Sequence, residues 1–164
     1  LDDAEAMFEY ASDKENTRYT FPTNQSLEET KNNIAQFYLA NPLGRWGIEL
    51  KSSGEFIGTI DLHKMDTVLK KAAIGYIIHK KYWNQGLTTE ANRAVIELVF
   101  EKIGMNRLTA LHDKDNPASG KVMEKSGMRF SHEEPYARMD KNEPGRFVTD
   151  VHYVLTKEDY FANK

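Results

Sequence analysis

The stretch YWNQGLTTEA, residues 82–91, joins a strand-like segment to the longest helical pattern in the chain. Gly86 permits a tight turn and a close approach of a ligand to the backbone. The backbone N–H groups of such a turn, together with the helix dipole, favour a phosphate or another anion. A glycine before a helix more often makes only a turn, so both interpretations stay open. The helix is predicted over Thr88–Ile103 from apolar residues at helical spacing, namely Ala91, Ala94, Val95, Leu98, Val99 and Ile103.

Several other kinds of site are excluded by what accompanies this turn. Gly86 lacks the second glycine and the Lys-Ser/Thr pair of a P-loop, and the chain contains neither G-x-G-x-x-G nor G-x-S-x-G. Cysteine is absent, which excludes disulfides, zinc ribbons and a thiol nucleophile. The five histidines do not have metal-ligand spacing, so no metal site is predicted.

Composition and charge predict one soluble domain over residues 1–164, in a reducing cytoplasm. No apolar run approaches the roughly 18 residues that a membrane span needs. The net charge is −3 and no run of Lys or Arg exceeds two residues, which argues against nucleic acid or a membrane as partner. A cationic substrate suits this balance better. The sequence begins at Leu1 rather than Met, so we expect that residues precede it.

Helical and strand patterns alternate along the rest of the chain. A helix is predicted over Asp2–Lys14, and a second opens at a capping box, Ser26 followed by Glu29, and stops before Pro42. A third starts at Asn116-Pro117 and stops at Gly127. The predicted strands are Trp46–Leu50, Phe56–Leu62, Ala73–Ile78, Arg107–Leu111 and Thr149–Leu155. This order predicts a mixed α/β fold with its ligand where strands splay or change order.

Several spaced motifs together closely resemble the GNAT N-acetyltransferase superfamily, and more narrowly its RimJ/RimL-like ribosomal-protein branch. They are FIGTI at 56–60, IGYII at 74–78, YWNQGLTTEA at 82–91, GMNR at 104–107, DNPAS at 115–119 and EKSGM at 124–128. The resemblance covers nearly the whole chain and lacks only the family's first strand. It implies the GNAT acyl-CoA N-acyltransferase fold, a mixed α+β fold. Such a fold has a mostly antiparallel central sheet, a splay between two strands, and flanking helices.

The resemblance also implies that acetyl-CoA is the cosubstrate. Backbone amides between Gln85 and Thr89 would hold the pyrophosphate, and the pantetheine arm would pair with exposed backbone at Ile77 and Ile78. The implied cofactor-binding residues are Ile77, Ile78, His79, Trp83, Asn84, Gln85, Gly86, Leu87, Thr88, Thr89, Asn116 and Ser119. Asn84, Gln85 and Thr88 replace the family's usual Gly, Lys and Ala, which leaves the backbone donors in place.

The candidate catalytic residues are less strongly indicated. Where many family members carry a tyrosine general acid, this chain has Met123, which cannot donate a proton. Ser119 could protonate the leaving thiolate instead, or it could serve only as a helix cap or cofactor contact. Alternation places Asp61 and His63 on one strand face, where they could act as general base or be a solvent-exposed pair. His79 is a third candidate base.

The predicted reaction is acetyl transfer to a primary amine by direct attack in a ternary complex. Deprotonation at pH 7 costs only about 1.4 kcal/mol for an α-amine with a pKa of about 8. For a lysine amine with a pKa near 10.4 the cost is about 4.6 kcal/mol. The resemblance favours the α-amine of a protein, of the ribosomal-protein type. A polyamine or aminoglycoside acetyltransferase and a non-catalytic acyl-CoA-binding module remain alternatives. The protein is expected to be a monomer or homodimer.

Overall fold

A computed structural model describes all residues of the chain, 1–164, and contains one six-stranded sheet. Along the sheet the strands stand in the order β1-β2-β3-β4-β6-β5, and every neighbouring pair is antiparallel except β3 and β4. Their bounds are β1 Arg45–Glu49, β2 Phe56–Asp66, β3 Lys71–Ile78, β4 Arg107–Asp113, β5 Arg129–Met139 and β6 Phe147–Thr156. The predicted mixed, mostly antiparallel fold class is therefore confirmed.

Six α-helices accompany the sheet, and two of them continue into π-helical turns. They are α1 Ala4–Ala11, α2 Lys14–Thr17, α3 Leu27–Asn33 continuing through Leu39, α4 Leu87–Glu97 continuing through Ile103, α5 Pro117–Lys125 and α6 Lys157–Ala162. The Ser26 hydroxyl accepts from the Glu29 N–H at 3.1 Å, as the capping box predicts. None of the helices is long and apolar enough to cross a membrane.

The two faces of the sheet are covered differently. On what we call the core face, α4 and α5 pack against buried strand residues such as Ile60, Leu62 and Ile74. The opposite face, called the open face, carries Asp61 and His63 because side chains alternate along β2. A smaller apolar cluster of α1 and α3, formed by Ala4, Met7, Tyr10, Ala11 and Ile34, covers the part of this face near β2.

Two elements were not predicted, and one predicted helix is divided. Strand β5 lies at the sheet edge and is exposed over eight consecutive residues, so it lacks the alternation that identifies a half-buried strand. Helix α6 has only six residues and buries none of them. The predicted helix Asp2–Lys14 is α1 followed by α2, because the Asp13 carboxylate accepts from the Asn16 N–H at 2.9 Å and starts a new helix.

The predicted splay lies between the parallel strands β3 and β4. Their pairing is limited to Lys71–Ala73 against Arg107–Thr109. From Ile74 onward β3 has β2 on one side and no strand on the other. The result is a gap in the sheet that opens toward the carboxyl ends of both strands.

Candidate functional site

Alternation along β3 decides which backbone groups point into the gap. The His79 N–H donates to the Ile57 carbonyl at 2.7 Å, which makes this pair a hydrogen-bonded one. Two residues earlier, the backbone of Ile77 therefore points to its partner Thr59 on β2. The backbone groups of Ile74, Tyr76 and Ile78 point into the gap instead. The backbone groups of Ile78 therefore point toward the gap, whereas those of Ile77, where backbone pairing with the pantetheine arm was also expected, point to β2.

Gly58 on β2 fixes the end of β3 against its neighbour. A Cβ at Gly58 would lie 2.3 Å from the Ile77 carbonyl oxygen and 2.9 Å from the Ile78 Cα. Both neighbours are backbone atoms that cannot move aside without displacing the strand. The motif FIGTI therefore needs its glycine for close approach of the two strands beside the gap.

Two side chains hold the last carbonyl of β3. The Ile78 carbonyl accepts from the Trp83 indole N–H at 3.1 Å and from the Asn16 amide at 3.0 Å. The Asn16 oxygen in turn accepts from the Lys80 N–H at 2.6 Å, and Asn16 is buried. With its carbonyl engaged, Ile78 presents its N–H to the gap. Asn16 was not predicted as a site residue, because it lies 62 residues away in sequence.

The turn before α4 has the geometry that an anion site requires. Gly86 adopts φ +77, in the left-handed region, and its carbonyl accepts from Glu90 N–H at 3.0 Å as the helix begins. A Cβ added at Gly86 would meet no atom within 4 Å, so the turn opens outward. The first N–H groups of a helix have no partner within it and carry the positive end of its dipole. The turn can therefore present several donors to a phosphate.

An open concavity adjoins this turn. It is lined by Gly86, Thr89, Glu90, Arg93 and Lys125. The Arg93 guanidinium donates twice to the Lys125 carbonyl, at 3.1 and 2.6 Å, and so ties α4 to the end of α5. Two cationic side chains therefore lie beside the predicted pyrophosphate turn.

His79 is engaged in local structure. Its Nδ1 accepts from the Lys81 N–H at 3.1 Å, and its ring stands edge-on to Tyr10 and Tyr82 at 6.2 Å between centroids. This arrangement holds the segment that leads from β3 to the turn at Gly86.

Asp61 and His63 are brought together on the open face. The His63 Nδ1 lies 3.0 Å from the Asp61 Oδ2, and the side chains are 40% and 32% exposed. A Cβ at Gly75 would lie 3.3 Å from both Asp61 Oδ1 and His63 Cε1. Because Gly75 has no side chain, the side chains of Asp61 and His63 can lie over β3, the strand that borders the gap.

On the core face, the first turn of α5 meets β3 through Tyr76. The Tyr76 hydroxyl lies 3.0 Å from the Ser119 carbonyl oxygen and 3.3 Å from the Ser119 hydroxyl. Burial raises the pKa of Tyr76 to about 12. Asn116 occupies the predicted N-cap position, but its side chain makes no capping hydrogen bond, so its amide is available to a ligand. Met123 is buried in the core.

A network of ion pairs lies at the carboxyl end of β4. The Arg146 guanidinium donates to Asp113, the last residue of β4, at 2.8 Å and to Asp140 at 2.5 Å. Arg18, just after α2, donates to Asp140 at 2.7 Å. Burial alone would raise the pKa of Asp113 and Asp140, but hydrogen bonds from the arginines and backbone amides outweigh it and lower both. The network joins α2 to the β5–β6 hairpin, and no local motif predicted it.

Comparison with known proteins places this geometry in context. Residues 1–129 match the family model described as an acetyltransferase (GNAT) domain. YoaA of Bacillus subtilis, named as an N-acetyltransferase, is 35% identical over 131 residues, which is 77% of this chain and 74% of YoaA. YdaF of the same organism, whose name assigns it to ribosomal N-acetyltransferases, is 35% identical over 120 residues, 72% of this chain and 64% of YdaF. The crystal structure of a GNAT-family acetyltransferase from Bacillus anthracis superposes with a TM-score of 0.83 at 27% identity, over 96% of this chain and 90% of that one.

Proposed function

The chain belongs to the GNAT acetyltransferase family and is an acetyl-CoA-dependent N-acetyltransferase, and from that premise we propose that its acceptor is the N-terminal α-amine of a protein. We propose further that residues 1–164 form one catalytic domain of the RimJ/RimL-like branch. The observation that carries the site assignment is the gap between β3 and β4, which ends beside an outward-facing left-handed turn at Gly86.

The turn and the gap supply complementary contacts for acetyl-CoA. The amides from Gln85 to Thr89 would hold the pyrophosphate, supported by the dipole of α4. The backbone of Tyr76 and Ile78 would pair with the pantetheine arm as a neighbouring strand would. Asn116, the N-cap of α5, would contact the arm, and the Ser119 hydroxyl, in the first turn of α5, would lie at the sulfur end of the arm. An N–H of β3 in the gap would also stabilise the oxyanion that forms at the thioester carbonyl.

His63 is proposed as the general base on the acceptor side, and Asp61 as the carboxylate that orients it. The acceptor nitrogen attacks the thioester carbon, the C–N bond forms, and the C–S bond breaks with its electron pair remaining on sulfur. The proton lost by the amine passes to His63, directly or through one water, while Asp61 orients the imidazole at 3.0 Å. Gly75 supports this assignment, because it admits the pair over the strand that borders the gap.

The chemistry of the acceptor favours an α-amine. The side chains of His63 and Asp61 are each about a third or more exposed to solvent, so water competes with the acceptor for their hydrogen bonds. Such a base suits an amine that requires only about 1.4 kcal/mol for deprotonation at pH 7, rather than the roughly 4.6 kcal/mol of a lysine. The name of YdaF, which assigns it to ribosomal N-acetyltransferases, supports a ribosomal acceptor.

A panel of amines tests this proposal. Thiol release from acetyl-CoA would be followed with short peptides bearing a free α-amine, with the same peptides blocked at the N-terminus but containing lysine, and with a polyamine and an aminoglycoside. We expect kcat/KM to be highest for the free α-amines. Faster turnover of the polyamine or the aminoglycoside would replace the proposed acceptor with a small molecule.

A further inference from the structure

The contact between Tyr76 and Ser119 joins the two sides of the gap on the core face. Tyr76 belongs to β3, and its ring packs against the large core cluster. Ser119 lies in the first turn of α5, which packs against β4 on the far side of the gap. The tyrosine hydroxyl reaches the Ser119 carbonyl at 3.0 Å and the serine hydroxyl at 3.3 Å. One phenol therefore contacts both oxygens of Ser119.

The proton of Tyr76 is committed to this contact. Because burial raises the pKa of Tyr76 to about 12, the hydroxyl stays protonated throughout the pH range of an assay. It has a single hydrogen to donate, and the carbonyl is the nearer acceptor. If the phenol donates to the carbonyl, the serine hydroxyl can donate to the phenol oxygen or turn its hydrogen to a ligand. If the phenol donates to the serine hydroxyl, the serine hydrogen is free to donate elsewhere.

The raised pKa of the Tyr76 phenol also argues against proton transfer from Tyr76 to the leaving group. A cysteine thiol has a pKa of about 8.5, so the Tyr76 phenol, with its pKa raised to about 12, is a weaker acid than a thiol, and proton transfer from it to a thiolate is uphill. A hydrogen bond to the developing thiolate has no such penalty, and bonds to charged acceptors are the stronger ones. The Ser119 hydroxyl, in the first turn of α5, can donate such a bond.

We propose that Tyr76 is a positioning residue, which fixes the first turn of α5 so that the Ser119 hydroxyl donates a hydrogen bond to the CoA sulfur as the C–S bond breaks. The electron pair of that bond stays on sulfur, and the thiolate takes its proton from solvent. The inference deepens the proposed function, because it rests on the assignment of Ser119 to the acetyl-CoA site.

The test compares Tyr76→Phe, Ser119→Ala and the double variant. Each single change is expected to lower kcat about tenfold while the calorimetric Kd for acetyl-CoA stays within about twofold. The double variant should be no slower than the slower single variant, because both changes remove one hydrogen bond to sulfur. Ser119→Thr, which keeps a hydroxyl, should retain more activity than Ser119→Ala.

Tyr153→Phe is the matched control. The Tyr153 hydroxyl donates to Glu124 at 3.0 Å, so this change also removes a bond between a strand tyrosine and α5 but leaves Ser119 untouched. Its kcat should equal that of the parent protein. An equal loss of kcat in Tyr153→Phe, or an unchanged kcat in Tyr76→Phe, would overturn the inference.

The pH profile separates positioning from proton donation. If Tyr76 only positions Ser119, the alkaline side of the kcat profile up to about pH 10 has the same shape in Tyr76→Phe and in the parent. An alkaline fall in the parent that disappears in Tyr76→Phe would identify the tyrosine as a titrating acid and overturn the inference. A parent protein that acetylates lysine or polyamines instead of α-amines would refute the proposed acceptor and leave this test intact.

Discussion

Gly86 offers the sharpest perturbation of the proposed cofactor site, through the change Gly86→Ala. The new methyl group would meet no protein atom within 4 Å, so the folded state suffers no clash. The remaining structural penalty is the left-handed φ of +77, which costs a residue with a Cβ about 1–2 kcal/mol. The methyl group would, however, stand in the open space from which a pyrophosphate must approach the amides of the turn.

The expected loss of affinity follows from the hydrogen bonds that the methyl group obstructs. A hydrogen bond to a charged acceptor is worth about 1.5–3 kcal/mol, so obstruction of one such bond weakens acetyl-CoA binding about tenfold to a hundredfold. Isothermal titration calorimetry gives this affinity, and urea unfolding gives the accompanying loss of stability.

Gly104 provides the matched control at the other end of the same long helix. Its φ is +76 and a Cβ there would also meet nothing within 4 Å. Gly104→Ala should therefore lower the free energy of unfolding by about as much as Gly86→Ala, with no change in acetyl-CoA affinity. If Gly86→Ala binds acetyl-CoA as tightly as Gly104→Ala does, the assignment of the turn to the pyrophosphate is refuted.

Two further predictions concern the proposed general base, His63, and the ion pairs of Arg146. His63→Ala should lower kcat/KM about tenfold or more while the affinity for acetyl-CoA stays unchanged. His132→Ala, on the edge strand β5, is the control and should change neither quantity. Equal effects of the two substitutions would show that His63 is not the general base. The lowered pKa values of Asp113 and Asp140 stabilise the fold above the ordinary aspartate value of 3.8, and this contribution is lost as pH falls below it. Arg146→Met leaves two buried carboxylates without their shared cation and should reduce the unfolding free energy at pH 7 by about 3–5 kcal/mol. Its urea unfolding curves should depend less on pH below about 4 than those of the parent, and parallel pH dependence would contradict this account.

The parts of the fold that depend on local pattern could be predicted from the sequence. The turn at Gly86 combines a glycine, a preceding strand and a strongly periodic helix, and each of these is a short-range signal. The position of Asp61 and His63 on one face of β2 follows from the alternation of side chains along a strand. By contrast, the edge strand Arg129–Met139 is exposed along most of its length and has no burial pattern to reveal it.

Contacts between distant segments could not be predicted in this way. Tyr76 and Ser119 are separated by 43 residues, and Arg18 and Asp140 by 122. Nothing near Tyr76 in sequence distinguishes it from a core aromatic residue, because its role depends on where the first turn of α5 lies. The orientation of Ile77 needed the register of β2 against β3, and a shift of one residue reverses which backbone groups reach the gap.

Acetylation of a single peptide that offers both kinds of amine tests the central claim most directly. The peptide would carry a free α-amine on a small first residue and one internal lysine, so that both acceptors are present at equal concentration. Fragmentation mass spectrometry after partial reaction with acetyl-CoA locates the acetyl group. We expect acetylation at the α-amine, with a kcat/KM that rises toward an apparent pKa near 8. Preferential acetylation of the lysine would contradict it.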